Sequence, residues 1–452
     1  MNRYLFPRLL IFILFTFNLQ AQNLKKPLEL LSYDELKEAF FKNEGEIEIQ
    51  KIYAKAFLDK AKKENNTPKI ARGYYCYSLL YDDNRKIVYF DSIINNVVLP
   101  SSEKNFPFVA YLEKGHFLAK KYRYNEAINS YLKVEKLAIS KNIIYHYKAK
   151  YAIAILKAEK MGDVKEALPL YIECYNFYKS RKNNPDLTFA YEASIFALAD
   201  AYKSLKKVDS ASYYNRIGYY ETKKSKNEYL HNIFILNEGA NQVLVNNFQA
   251  TLDSVTKSLP FMIKHKDKIN TLASYYYRAK AYQGFGNKFK VVENYIKVDS
   301  LYHLNSTIYP EFSDGYIYLI DYYKDKGDKE NQLKYITTYL EIQNQFQKEY
   351  KELSVKLKND YDLPNLVKDK ESLIKSLKTD GKKYFQFIFL LVTIIVVFIF
   401  ISMFQNNQKK KYKKKFEEII NIQHVDEIVK NTEIKQHSKK EFSLSSDLVK
   451  YN

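Results

Sequence analysis

The segment GHFLAKKYRYNEAINSYLKVEK, residues 115–136, decides the fold. It sets Gly115, Leu118, Ala127 and Tyr131 at offsets of 0, 3, 12 and 16. The small Gly115 and Ala127 let two antiparallel helices approach closely, while Leu118 and Tyr131 fill the groove between them. A single match of this kind carries little weight; its recurrence along the chain carries much more.

The series does recur. In KAEKMGDVKEALPLYIECYNFY (157–178), Gly162 marks the turn, Ala167 is the small contact residue and Tyr171 the large one. In SIFALADAYKSLKKVDSASYYNRI (194–217), Ala199, Tyr202 and Ala211 keep the offsets, with Asn215 in place of the large residue. YYYRAKAYQGFGNKFKVVENYIKV (275–298) repeats it with Ala279, Tyr282, Gly286, Val291 and Tyr295, and DYYKDKGDKENQLKYITTY (321–339) is a weaker copy. This is the spacing of a tetratricopeptide hairpin, although Ala127, Ala167, Ala211 and Val291 are separated by 40, 44 and 80 residues, a period nearer 40 than the usual 34. Residues 231–262 should hold the missing copy, around Gly239 and Leu252. Hairpins of this kind bury their apolar faces on their neighbours, so the expectation is an all-α tetratricopeptide-like helical hairpin solenoid over residues 22–338 that docks a protein or peptide partner.

Composition agrees. With 43 Tyr and 29 Phe but only 11 Gly and 10 Pro in 452 residues, long regular elements are favoured over turns. The net charge of +20 comes from 72 Lys and Arg mixed with 52 Asp and Glu, the pattern of solvated helix faces rather than of a nucleic-acid surface. Only Cys76 and Cys174 are present, in the apolar contexts YYCYSLL and YIECYNF. They read as buried small side chains, with one long-range bridge as the alternative if the region is exported.

Both ends point to a membrane. In MNRYLFPRLLIFILFTFNLQAQ, Arg3 and Arg8 precede the apolar run Leu9 to Phe17, and Leu19 and Ala21 form a cleavage pair, so residues 1–21 read as a signal peptide. From Tyr384 to Phe404 no side chain is charged, and 21 helical residues span about 30 Å, the thickness of a hydrocarbon core. Residues 384–404 therefore read as a single transmembrane helix. Lys409, Lys410, Lys411, Lys413, Lys414 and Lys415 follow it and outweigh Lys382 and Lys383 before it, which predicts a cytoplasmic C-terminal side. The expected topology is single-pass in a bacterial inner membrane, with the large N-terminal region periplasmic. Residues 339–383 read as stalk and juxtamembrane helices broken at Pro364, with Leu366, Leu373 and Leu377 as a face on which two copies could form a homodimer. The tail, 405–452, is basic and polar; Phe416, Ile419, Ile420 and Val425 lie near helical spacing.

No catalytic, cofactor or metal constellation stands out. His116, His146, His231, His265, His303, His424 and His437 are scattered, and no phosphate-cradling glycine loop or serine elbow is present. The expectation is a non-enzyme without cofactor or metal. The lysine block is explained by topology and lipid contact, so no DNA binding is expected from this chain alone.

The whole layout resembles the membrane-spanning tetratricopeptide regulators of the Bacteroidetes, whose chains end in an AraC-type helix-turn-helix domain. YKELSVKLKNDYDLPNLVKDKESLI (350–374) is similar to the segment before the span in that family, with AYLEKGHFLAKKYRYNEAINSYLKVEKLA (110–138) and GYIYLIDYYKDKGDKENQLKYI (315–336) as supporting copies. The resemblance implies periplasmic repeats that sense or dock a partner and an internal domain that regulates transcription. The tail ends at FSLSSDLVKYN (442–452), similar to the approach to that domain, and is expected to stop short of it. No DNA-reading residue can be carried over. The competing expectation is an envelope scaffold with no signalling output.

Overall fold

The computed structural model describes residues 27–97, 103, 105–305 and 308–447. The expected signal peptide and the last five residues lie outside them. Among the described residues there are 17 α-helices and no strand, so the fold is all-α. Sixteen helices pair as consecutive antiparallel hairpins: α1–α2 (Tyr33–Lys42, Ile47–Lys63), α3–α4 (Thr67–Leu79, Asn84–Asn96), α5–α6 (Phe108–Lys120, Tyr124–Ala138), α7–α8 (Ile143–Ile155, Val164–Lys179), α9–α10 (Thr188–Ser204, Val208–Ser225), α11–α12 (Glu228–Val243, Phe248–Lys264), α13–α14 (Lys268–Gly284, Lys288–Asn305) and α15–α16 (Asp314–Asp325, Lys329–Leu357). Helix α17 runs from Leu363 to Asp447.

The register of the repeat is written in its turns. Tyr122, Gly162, Lys206, Asn246, Gly286 and Gly327 all have left-handed backbone, with φ between 57° and 71°. In five of the six, the small buried contact residue follows five positions later: Ala127, Ala167, Ala211, Thr251 and Val291. The expected series is therefore present, with one correction: the missing copy uses Thr251, not Leu252. Thr251 is buried and its Oγ1 donates to the Gly239 carbonyl at 2.9 Å, which lets a hydroxyl occupy a position that elsewhere takes Ala or Val. Gly239 does stand at the close approach, because a Cβ there would lie 2.6 Å from the Ser254 Cβ.

Gly115 is required in the same sense, since its Cβ would sit 2.4 Å from the Tyr131 ring. Leu118, Tyr131, Tyr171, Ala199, Ala279 and Tyr295 are all buried. Tyr202 and Tyr282 are only partly buried, and Gly162 and Gly286 are exposed at their turns. Asn215 takes the large position by hydrogen bonding: its amide donates to Glu238 at 2.8 Å and accepts from Asn237 at 3.1 Å. Cys76 and Cys174 are buried and unpaired with each other, and burial pushes the Cys174 thiol up to about 12.

The core is a succession of apolar clusters along the chain, as a stack of short repeats requires. The solenoid does not end at 338. Helix α16 continues past it, and Leu353, Leu357 and Tyr361 are buried in the same cluster as Leu118 of α5, Tyr131 of α6 and Leu156 just after α7. The segment expected to begin a stalk is thus folded onto the repeats up to about residue 361. Nor does Pro364 break the helix. Residues Lys358–Asp362 form a widened π-helical turn, the Leu363 N–H donates to the Lys358 carbonyl, and Pro364, which has no N–H, falls in the first turn of α17.

The chain divides into two compact units after Leu363. In the second, residues 384–404 have exposed side chains on every face, and this is the one helix among the described residues long and apolar enough to cross a membrane. Leu366, Leu373 and Leu377 are exposed, as are the six lysines at 409–415.

Candidate functional site

The first helices of hairpins α7 to α13, together with the loop before α15, enclose a cavity of about 460 Å³. Its wall is built by α7, α9, α11 and α13 with Val164 and Tyr171 of α8, and the loop borders it with Tyr309, Pro310, Glu311 and Phe312. That loop is held from within. Ile308 and Phe312 are buried in the cluster of α13 to α16, and the Ser313 hydroxyl donates to the Pro310 carbonyl at 2.8 Å.

Ionised groups line the cavity. The Lys203 ammonium lies 2.9 Å from Asp200, one turn earlier on α9, donates to the Tyr277 hydroxyl at 2.9 Å, and sits 3.5 Å from Glu311. Tyr277 in turn donates to Glu311. Burial opposes the charge on Lys203, but Asp200, Glu311 and Tyr277 outweigh it and hold its pKa well above the ordinary range. Lys203 is thus a structural cation, held charged by two carboxylates and donating to Tyr277, not a nucleophilic amine. Opposite, the Tyr309 hydroxyl donates to Glu159 at 3.0 Å. Burial raises the Glu159 pKa, against the nearby Lys160 and the Tyr309 hydrogen bond, with Asp200 adding to the rise. The Tyr309 phenol is raised well above its usual value, first by the Glu159 charge and then by burial.

Glu159 belongs to a second widened turn, Leu156–Lys160, which ends α7. Two residues earlier in it, Lys157 is almost wholly buried and bonds outside the cavity: to Glu166 at 2.9 Å and to both carboxylate oxygens of Asp362 at 2.8 Å. One five-residue turn therefore grips the loop bordering the cavity with Glu159 and, with Lys157, the residue just before α17 begins.

Of the repeat residues singled out from sequence, Gly162 and Tyr171 line this cavity, and the others sit at helix contacts or turns. The lysines at 409–415 and the cavity lie in different units. Sequence reading missed Glu159, Asp200, Lys203, Tyr277, Tyr309 and Glu311. The one available signal was Lys203, a charge four residues after Ala199 and hence on the same buried face. Histidines of the repeats have local partners, such as His116 with Tyr131 at 3.0 Å and His146 with the Glu135 carbonyl at 3.0 Å. Among the described residues no three His, Cys, Asp or Glu side chains group to hold a metal. No protein-family model matches the chain, and a search of curated proteins finds no match.

Proposed function

We propose that this chain is a membrane-anchored sensory and docking module of the bacterial envelope, of the kind formed by the tetratricopeptide regulators it resembles. The repeats lie in the periplasm and take a peptide or protein partner at the cavity. The span at 384–404 crosses the inner membrane, the lysines at 409–415 keep the tail in the cytoplasm, and the span relays occupancy to an internal output.

The observation that carries this reading is the turn Leu156–Lys160, whose Glu159 bonds the loop over the cavity and whose Lys157 bonds Asp362 at the root of α17. A ligand that displaces Tyr309 from Glu159 disturbs a turn too short to move at one residue and stay fixed two residues away. The two widened turns, at 156–160 and 358–362, supply helix geometry with a second arrangement close at hand.

The test needs no ligand. In full-length protein in detergent micelles, Tyr309→Phe should raise amide exchange at residues 357–363 by about fivefold, the effect of losing about 1 kcal/mol of local stability. Unchanged exchange there, with increased exchange confined to residues near 309, would leave a scaffold without a relay.

A further inference from the structure

The cavity carries a charge opposite to that of the chain. The whole protein bears +20, yet three carboxylates, Glu159, Asp200 and Glu311, line this space against one ammonium, Lys203. That ammonium donates to Tyr277 and is paired with both Asp200 and Glu311, so its charge is already compensated and offers little to an incoming anion. Both oxygens of Glu311 are engaged, one by Tyr277 and one by Lys203, whereas Glu159 and Asp200 each have one oxygen engaged and the other open. The Asp200 and Glu311 side chains are each 42% exposed, and among the described residues Tyr309 is the one hydrogen-bond donor to Glu159, on a single oxygen. Lys160 stands near Glu159 without lining the cavity; its ammonium lies 5.0 Å from the centre of the Tyr309 ring.

Between these acidic ends the wall is apolar and aromatic, with Tyr151, Tyr171, Phe196, Ile233 and Phe312 among its lining. Aromatic faces attract cations and accept apolar groups, whereas they offer an anion nothing. A cleft with low-dielectric walls also focuses the field of its own carboxylates, so a basic exterior does not cancel the preference inside. A volume of about 460 Å³ falls in the range that encloses a small molecule or about three residues of peptide.

We infer that the cavity binds a ligand bearing a primary ammonium beside an apolar body, such as the amino terminus of a short hydrophobic peptide or a free aromatic amine. The inference rests on the docking role of the cavity and adds the chemistry of the occupant. The ammonium takes the open oxygen of Glu159 or Asp200, and the apolar body lies along α9 and α11.

Isothermal titration of the full chain in detergent micelles tests it with matched probes: trileucine amide with a free amino terminus, N-acetyl-trileucine amide, and N-acetyl-trileucine with a free carboxylate. Tyramine and 4-ethylphenol form a second pair. The cationic peptide should bind at least about tenfold tighter than its neutral counterpart, and the anionic one most weakly. Glu159→Gln and Asp200→Asn should each shrink that preference severalfold, while Glu293→Gln on an exposed face should not. If tyramine also outcompetes 4-ethylphenol, the amine and the apolar body suffice; if only the peptides discriminate, the peptide form is the ligand. Binding indifferent to charge, or favouring the carboxylate, would overturn the cationic occupant and leave the docking role standing. No binding by any cationic probe would also overturn it, and the exchange experiment on Tyr309→Phe then judges the docking role separately.

Discussion

The two units use the same apolar residues in opposite ways. Up to Leu363, the helices hide stripes of Leu, Ile, Phe and Tyr against their neighbours and leave most Lys and Glu outside. Beyond Pro364, Leu366, Leu373 and the whole of 384–404 face outward, with no protein packed on them. The solenoid half is stabilised by burial within the chain, at about 25 cal/mol per Å² of apolar surface. Residues 384–404 expose that surface on all sides, over a helix long and apolar enough to cross a membrane. The boundary between the regimes falls at the widened turn 358–362, after Leu353, Leu357 and Tyr361 have made the last core contacts.

Charge should break the second regime most severely. Placing Arg at both Ile394 and Val397 puts two guanidinium groups near the middle of the span, at a cost of about 2.5–3.5 kcal/mol each. The variant should leave the carbonate-resistant membrane fraction. Retention there would refute the span. In the first regime, Val355→Arg, at an exposed position of α16, should shift stability by no more than about 0.5 kcal/mol. The next contrast straddles the boundary. Leu357 is fully buried and Leu373 is 60% exposed, so Leu357→Ala should cost about 3 kcal/mol in thermal or denaturant unfolding and Leu373→Ala almost nothing. Equal effects would mean that α16 does not fold onto the repeats.

How much of this was legible in the sequence depends on what marks each element. The hairpins from 115 to 217 and 275 to 298 announce themselves because Gly, Ala and Tyr repeat at fixed offsets. The copy at 231–262 was blurred because Thr251 satisfies its hydroxyl on the Gly239 carbonyl, a contact no hydrophobic pattern encodes. Helices α1 to α4 carry no such series; there Gly73 of α3 packs against Leu58 of α2, a different small-to-large pairing. The fold of residues 339–361 was hidden because Leu353, Leu357 and Tyr361 look like any helical stripe until their partners, more than 190 residues earlier, are known. The cavity was illegible for the same reason: its lining runs from Tyr151 to Phe312 and owes its charge to residues that meet only when four hairpins stack.

A smaller effect probes the link just before the boundary. Lys157→Met removes an ammonium that is 2% exposed, but Asp362 and Glu166 are 40% and 60% exposed and can recover water. The loss should therefore be about 1–2 kcal/mol rather than the larger penalty of a fully buried pair. Burial opposes the charge on Lys157, yet Asp362 and Glu166 raise its pKa overall. Its contribution is then complete below the ordinary lysine range and fades only as the pH climbs through the raised value, so wild type and variant should differ by a constant amount between pH 6 and 9. A difference that vanished inside that window would deny the pair its role.

The smallest expected effect has the opposite sign from most carboxylates. Burial, helped by Asp200, raises the pKa of Glu159 despite Lys160 and the Tyr309 hydrogen bond, so the folded chain holds that proton to higher pH than the unfolded chain does. The resulting stabilisation is full below the ordinary glutamate range and is lost as the pH rises through the folded value. Glu159→Gln keeps a neutral group at every pH and should remove this slope. Its Tm should match wild type near pH 4 and exceed it by about 1–2 °C at pH 7. A bound ammonium acts on the same equilibrium from the other side, because it favours the ionised carboxylate. In wild type the amine should therefore bind more tightly at pH 7 than at pH 4.5, and in the Gln variant that difference should shrink. A variant whose amine affinity kept the full pH dependence would place the recognising carboxylate elsewhere in the cavity.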